Sequence, residues 1–195
     1  MRRLTIVFTT CALLAGCVTG YELVSPATVT VAKNSMRVRP SISWNKAPSG
    51  PYDIPQEESW TENGPLLDRL EFIGALPSGQ AIAKQRPKDD RKVPVFRADM
   101  TPQDLVSMVE SYYRIKLDAK IFESTSVKPV TFLGKPGVQF DYNFVSSDEV
   151  KRRGRSVFAV VDGKLYLTSL DGAALHYFEA ALPEFEAIVA SASIP

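Results

Sequence analysis

Apolar and polar residues alternate with a period of two along several stretches of this chain, a pattern that predicts β-strands. The clearest stretch covers residues 138–144, where Val, Phe, Tyr and Phe occupy every second position, and residues 120–124 form a shorter one. Residues 155–167 form another, interrupted by Asp162 and Gly163. This dipeptide favours the type I′ turn of a hairpin, because both central residues of that turn need positive φ. We therefore expect a mostly antiparallel sheet.

Similar segments predict two hairpins in the first half of the chain. Residues 28–32 and 36–38 are expected to pair with each other across a short turn. Residues 66–76 alternate less regularly, and the Pro-Ser-Gly turn at residues 77–79 is expected to lead back into a partner strand at residues 80–82.

A helix is predicted from Thr101 onward. Thr101 suits the N-cap, Pro102 the first helical position and Asp104 the third, where its carboxylate can complete a capping box. The next apolar residues recur at spacings of three and four and predict one buried face: Leu105, Met108, Val109 and Tyr112. The fold class is therefore α+β.

The C-terminal segment, residues 172–194, is also predicted to be helical, but with a break. Pro183 lacks an N–H and disfavours an α conformation at Leu182, so we expect two helical pieces. Phe185, Ile188 and Val189 should face the core from the second piece.

Composition and charge exclude several functions. The chain has 195 residues, 45% of them hydrophobic and 23% charged, which is enough to bury a core. A formal net charge of +1 removes the electrostatic argument for a dedicated nucleic-acid binder. Two cysteines and one histidine cannot build a four-ligand Cys/His zinc site. No metal or other cofactor is expected.

The N-terminus has the layout of a secretory signal. A basic start is followed by an apolar stretch over residues 4–14 that is too short to span a bilayer, and then by small residues before Cys17. Residues 14–17, Leu-Ala-Gly-Cys, resemble the lipobox of bacterial lipoproteins. The resemblance implies cleavage between Gly16 and Cys17 and acylation of Cys17. The alternative is an ordinary cleaved signal peptide, in which Cys17 is not modified.

This resemblance sets the expected organisation of the chain. Residues 1–16 form the signal peptide, residues 17–26 a lipidated tether, and residues 27–195 a single globular domain. The acyl chains on Cys17 would hold the protein at a membrane. Because Val18 stands where an Asp would resemble a signal for inner-membrane retention, we expect the outer membrane, facing the periplasm.

The second half of the domain resembles a known fold. Residues 138–194 show a long strand, a basic turn, the Asp162 and Gly163 hairpin, and a helix that closes with Phe-x-x-Ile-Val-x-Ser. This order resembles the fold of the photosystem II extrinsic protein PsbP and of several bacterial lipoproteins, over about residues 98–195. The resemblance implies a PsbP-like α/β/α sandwich whose members mostly bind or stabilise other proteins.

Two features are candidates for an interaction surface. Four cations lie between two predicted strands: Lys151, Arg152, Arg153 and Arg155. They form either a solvated hairpin tip or a surface that contacts anionic headgroups or an acidic partner. Trp44 and Trp60 flank a Pro- and Gly-rich loop at residues 47–55. They could stack on a partner or sugar, or anchor the loop to its own domain.

Candidate catalytic chemistry is sparse. His176, the single histidine, could serve as a base oriented by Asp171, but the sequence contains no Gly-x-Ser-x-Gly elbow, phosphate loop or dinucleotide fingerprint, and no catalytic residue is assigned. The leading hypothesis is a non-enzymatic envelope lipoprotein that binds or stabilises another envelope protein. The alternative is a hydrolase or ligand-binding module acting on envelope glycans or lipids. A pocket of tryptophans and acids would favour the alternative, and a flat exposed patch the first.

Overall fold

The computed structural model describes residues 20–195, so the predicted signal peptide and lipobox lie outside the described residues. Ten strands and two helices form in this part of the chain. Their bounds are β1 Glu22–Val24, β2 Val29–Val31, β3 Met36–Val38, β4 Trp44–Lys46, β5 Glu57–Thr61, β6 Asp68–Pro77, α1 Pro102–Lys116, β7 Ile121–Phe132, β8 Lys135–Val145, β9 Lys151–Val161, β10 Lys164–Ala173 and α2 Tyr177–Ser191.

Eight of these strands form one antiparallel sheet in the order β1-β4-β5-β6-β10-β9-β8-β7. The central pairing of β6 with β10 joins the first half of the chain to the second. The hairpin of β2 and β3 is separate from the sheet. One apolar core lies between the sheet and α1, and a second lies between the opposite face, α2 and this hairpin. The α+β prediction of an antiparallel sheet flanked by helices is confirmed.

The start of α1 is fixed by its sequence. The Thr101 side chain accepts from the backbone N–H of Asp104, and the Asp104 carboxylate accepts from the backbone N–H of Thr101, which completes the capping box. The predicted apolar face is buried against the sheet. No helix in residues 20–195 combines the length and apolar character needed to cross a membrane.

Strands β8, β9 and β10 form a meander with the predicted geometry. Val138, Phe140, Tyr142 and Phe144 alternate onto the buried face of β8. Between β9 and β10, Asp162 has φ 49° and Gly163 has φ 72°, as the type I′ turn requires. The β2 and β3 hairpin also forms where the alternation predicted it.

The second predicted hairpin, pairing residues 66–76 with residues 80–82, is wrong. β6 pairs with β5 and β10, and Ala81 makes only an isolated bridge to Val95. The hydrogen-bonding edges of β6 are taken by two longer strands that also bury apolar side chains. Tertiary pairing therefore outweighed the local turn signal.

The predicted break at Pro183 is also wrong. α2 runs as one helix from Tyr177 to Ser191 with Pro183 inside it, and residues 172 and 173 end β10 instead of starting the helix. Phe178 lies before the proline and Phe185 and Ile188 after it, and all three are buried against the sheet. Packing on both sides of Pro183 compensates for the lost hydrogen bond, which costs about 3 kcal/mol in a helix interior.

The segment predicted as a tether is partly folded. Glu22, Leu23 and Val24 form the edge strand β1, in register with Lys46, Asn45 and Trp44 of β4. Val24 packs against the α2-side core, which explains why the ordered sheet begins before residue 27. Only four residues, Val18 to Tyr21, separate Cys17 from this strand.

Replacing Gly154 by Ala is expected to destabilise the sheet. Gly154 of β9 is in register with Tyr142 of β8, and a Cβ atom on Gly154 would overlap the Tyr142 ring. Overpacking of this kind typically costs about 1–3 kcal/mol. Urea unfolding should show the loss, whereas Lys151→Ala, at an exposed position of the same strand, should change the free energy of unfolding by less than about 0.5 kcal/mol. Equal effects of the two substitutions would contradict the packing argument.

Candidate functional site

The predicted basic turn is not a turn. Lys151, Arg152, Arg153 and Arg155 are the first residues of β9, and strand alternation sends their side chains to opposite faces of the sheet. Arg152 is buried on the α1 side, where Nη1 lies 3.4 Å from Asp171 Oδ1 and Nη2 donates to the carbonyl oxygen of Leu66.

The cations on the α2 side are also paired. Arg153 forms an ion pair with Glu179 of α2, and its guanidinium lies 5.0 Å from the centre of the Phe178 ring. Arg155 Nε donates to Asp141 Oδ1 over 2.7 Å, and the same side chain contacts Glu186. Three of the four cations are therefore engaged within the fold, and Lys151 is the one without an ion pair among residues 20–195.

Trp44 and Trp60 are core residues. Trp44 is fully buried, and Trp60 is 1% exposed on β5, with its ring centre 4.9 Å from that of Phe72. The indole N–H of Trp60 donates to Glu58 Oε1 over 2.9 Å. Neither ring is available for stacking on a partner or a sugar, so the placement of these residues as an interaction surface is wrong. They anchor β4 and β5 to the domain.

His176 is the exposed N-cap of α2 and does not lie inside a helix. Asp171 points to the other side of the sheet, toward Arg69 and Arg152, and does not orient the imidazole. Residues 20–195 contain no group of three or more His, Cys, Asp or Glu side chains that could hold a metal ion.

A buried polar network lies under α1, and the sequence analysis did not anticipate it. Arg69 of β6 is its centre: Nε lies 3.1 Å from Asp171 Oδ2, and Nη2 lies 3.3 Å from Glu71 Oε2. Three tyrosines complete it, with hydroxyls that reach Glu71, Ser169 and each other: Tyr112, Tyr113 and Tyr142. The network therefore links α1, through Tyr112 and Tyr113, to side chains of the sheet.

Glu71 gives this network a pH dependence. Burial raises the pKa of Glu71 above its ordinary value of 4.5, against the attraction of Arg69 and the hydrogen bond from Tyr112. The folded state therefore holds this proton more tightly than the unfolded state does. The contribution of Glu71 to stability is greatest below pH 4.5 and is lost as pH rises through the folded pKa.

Replacing Glu71 by Gln is expected to remove that part of the pH dependence. Urea unfolding between about pH 4 and 8 should show the free energy of unfolding falling less steeply in E71Q than in the parent chain. The half-buried Glu110, which pairs with Arg114 within α1, offers the control E110Q, which should leave the slope unchanged. Parallel curves for E71Q and the parent chain would contradict the assignment.

A second ion cluster closes a polar cavity of about 350 Å³ beside the last turn of α1. Lys116 Nζ lies 2.9 Å from Asp53 Oδ1 and also contacts Glu57. Burial lowers the pKa of Lys116. Burial also raises the pKa of Asp53, but the Lys116 ammonium, the backbone N–H of Gly50 and the charge of Arg69 together bring that pKa below its ordinary value. Lys116 and Glu57 both line the cavity, and Lys116 Nζ and Glu57 Oε2 are shielded from solvent without a hydrogen-bond partner among residues 20–195.

The exposed apolar side chains at one end of the sheet form a different kind of site, which we call the apolar rim: Leu66, Ile121 and Leu175. Leu175 is 99% exposed, Leu66 71% and Ile121 54%. Large apolar side chains clustered at the surface are typical of interaction sites.

Hydrogen bonds join the segments that carry Leu66 and Leu175 to the start of β9. The Arg152 guanidinium donates to the carbonyl of Leu66, and the backbone N–H of Ala174 donates to the carbonyl of Lys151 over 2.9 Å. A shallow, mainly apolar groove of about 260 Å³ continues the rim between the ends of β7, β8 and β9. Its lining includes Ile121, Phe144, Val145 and Ala174.

The sheet order, the two covering helices and the meander define a PsbP-like α+β fold. The solution structure of cyanobacterial PsbP (CyanoP) from Synechocystis is similar, with a TM-score of 0.56 and 12% sequence identity over 93% of this chain and 96% of that chain. The likeness extends well before residue 98, where the sequence resemblance began. It establishes the fold.

Two other solved structures are similar at lower scores. A protein of unknown function from Pseudomonas aeruginosa has a TM-score of 0.42 and 13% identity, over 67% of this chain and 75% of its own. LpqN, involved in cell envelope biogenesis of Mycobacterium tuberculosis, has a TM-score of 0.37 and 11% identity, over 92% and 88%. No protein-family model matches the chain, and no curated protein matches its sequence.

Proposed function

We propose that this protein is a non-enzymatic lipoprotein of the bacterial cell envelope, anchored through acylated Cys17 at the periplasmic face of the outer membrane, and that its domain binds another envelope protein. The apolar rim is the observation that carries the proposal. Leu66, Ile121 and Leu175 lie at the same end of the sheet and are each more than half exposed, and exposed apolar surface of this kind supports contact with a partner.

The character of the rim indicates the kind of partner. Arg152 and Arg153 border the groove but are paired with Asp171 and Glu179, so their charges are compensated within the chain. Lys151 and Glu123 also line the groove, so the surface offered is mainly apolar, with one cation and one carboxylate of opposite charge beside it. A partner with an apolar segment or helix face fits it better than an acidic one.

The alternative function, in glycan or lipid chemistry, draws less support. A ligand site built on Trp44 and Trp60 would need both rings at a cavity, and both are in the core. The exposed apolar side chains of the rim support the first hypothesis instead.

Site-specific photo-crosslinking tests this function. The full chain is produced with its own signal and carries a photoreactive residue at Leu175 or, as the control, at Lys135, the exposed first residue of β8. We expect a discrete envelope protein to be captured from position 175 and not from position 135. Capture from position 175 should be lost when Leu66 and Ile121 are replaced by Ser.

Two results would contradict the proposal. The first is the same set of products from positions 175 and 135, or capture that survives the rim substitutions in a variant with unchanged unfolding midpoint. The second concerns the anchor, because mass spectrometry of the purified chain must show acylated Cys17. An unmodified Cys17 would remove the membrane attachment.

A further inference from the structure

The polar cavity beside the last turn of α1 contains a buried carboxylate oxygen without a donor. Glu57 of β5 lines this cavity and is 7% exposed. Its Oε1 contacts Lys116 and lies 3.4 Å from the hydroxyl of Tyr112, whereas Oε2 accepts no hydrogen bond from residues 20–195. A buried acceptor without a donor costs free energy, so a donor group on a bound molecule would be favourable here. The terminal torsion of a glutamate is soft, which lets the carboxylate turn toward that donor.

The floor of the cavity, formed by Asp53, Glu57 and Lys116, has more negative than positive charge. These three side chains are 19%, 1% and 12% exposed, respectively. Lys116 is the one ion-pair partner of both carboxylates among residues 20–195. Arg69 also lines the cavity, but both of its ion pairs are with carboxylates of the network under α1. The floor therefore favours a positively charged group.

The mouth of the cavity, formed by Lys33, Lys46 and Glu58, has the opposite excess. Lys46 Nζ lies 3.4 Å from Glu58 Oε1, and Lys33 is exposed and makes no ion pair within residues 20–195. The Glu58 carboxylate also accepts from the indole N–H of Trp60 and from the backbone N–H of Ala32. Two ammonium groups therefore share one carboxylate that already has its donors, and the mouth favours a negatively charged group.

A strained turn holds Lys33 at this mouth. Ala32, Lys33 and Asn34 have φ values of 50°, 59° and 59°, in the left-handed region that residues other than glycine rarely adopt. The turn packs against β6, where the close approach of Ser35 leaves no room for a Cβ atom on Gly74. Backbone strain of this kind concentrates at binding sites, where the surrounding structure compensates for its cost. The position of the Lys33 backbone is therefore fixed beside the cavity.

We propose that this cavity binds a small zwitterion, with a primary ammonium group at the carboxylates of the floor and an anionic group at Lys33 and Lys46 of the mouth. The volume of about 350 Å³ lies at the lower end of the range for small-molecule sites. Two sources share this chemistry: a short peptide with free termini, and the phosphoethanolamine headgroup of a lipid. The site shares no residue with the apolar rim, and it does not depend on acylation of Cys17.

Isothermal titration calorimetry tests the ligand chemistry on the intact protein, produced with its own signal. The probes are the dipeptide alanyl-alanine and phosphoethanolamine. Each has a blocked analogue that cannot donate from a primary ammonium group, N-acetyl-alanyl-alanine and phosphocholine. We expect one of the two probes to bind saturably and its blocked analogue to bind at least about tenfold more weakly, because a hydrogen bond to a charged group is lost. The probe that binds identifies the source.

Substitutions at the two ends of the cavity locate the bound molecule. Glu57→Gln should weaken binding of the probe about tenfold or more. Lys33→Asn removes the charge at the mouth and keeps a residue that tolerates positive φ, and it should weaken binding about two- to fivefold. The matched control is Lys88→Asn, because Lys88 is also an exposed lysine with positive φ, at 69°, and does not line the cavity.

Three results would overturn the proposal. The first is that neither probe binds the parent chain. The second is that a blocked analogue binds as tightly as its probe, which would remove the role of the ammonium group. The third is that Lys33→Asn, with an unchanged unfolding midpoint, affects binding no more than Lys88→Asn does. This third comparison decides the outcome even if Glu57→Gln fails to fold. The crosslinking result at the rim is independent of all three.

Discussion

Replacing Arg69 by Met is expected to lower the free energy of unfolding by about 3–5 kcal/mol, because it leaves the buried Glu71 carboxylate without its cation. Glu71 is fully buried and has Arg69 as its one ion-pair partner among residues 20–195, whereas Asp171 keeps Arg152 at 3.4 Å. A loss of this size is a large share of the about 5–15 kcal/mol that stabilises a typical domain. Urea unfolding followed by circular dichroism measures it.

The control and a second variant separate this mechanism from general damage. Arg97 forms an ion pair with Asp99 at the surface, and Arg97→Met should cost less than about 1 kcal/mol. Combining Arg69→Met with Glu71→Leu removes charge from both partners and should recover part of the loss. A double variant less stable than Arg69→Met alone would contradict the explanation from an unpaired buried carboxylate.

Replacing Trp60 by Ala is expected to cost about 3–5 kcal/mol, the usual effect of removing a fully buried large aromatic side chain. Trp60 packs against Phe72 and Trp44, with ring centres 4.9 Å and 6.5 Å away. Trp44 remains as the single tryptophan, so its fluorescence can follow the unfolding transition in urea.

This result distinguishes a core role from a binding role for the tryptophan. Leu175→Ala, at a 99% exposed position, should change the free energy of unfolding by less than about 0.5 kcal/mol while weakening the proposed partner contact. The opposite pattern, with a stable Trp60→Ala chain that has lost its partner, would show that the tryptophan acts at a surface.

Local signals in the sequence were reliable where one short segment contains the whole determinant. The Thr101 cap, the Asp162 and Gly163 turn and the alternation in β8 each depend on residues within one element. Their conformations follow from side-chain hydrogen bonds, permitted φ values and one buried face. Packing elsewhere in the domain did not alter them.

The candidate site was harder to predict. Whether a strand residue is exposed depends on the face of the sheet to which its side chain points and on the element that covers that face. Arg69 and Glu71 alternate with the apolar Leu70 and Phe72, a pattern that suggests a solvated face. α1 covers that face, so the charges are buried and need partners from β10. Tyr112 and Tyr113 near the end of α1 carry hydroxyl groups on the buried side of the helix, and these could have indicated polar partners in the core.

The chain by itself determined the α+β class, the capped helix, the meander and the basic and apolar layout that predicts a lipidated Cys17. The tertiary structure decided which residues are available to a partner. Pairing in the sheet drew the arginines of β9 into ion pairs on two faces, buried both tryptophans and left Leu66, Ile121 and Leu175 outside. Burial depends on which distant strand or helix covers a position, and the residues of one local segment do not contain that information.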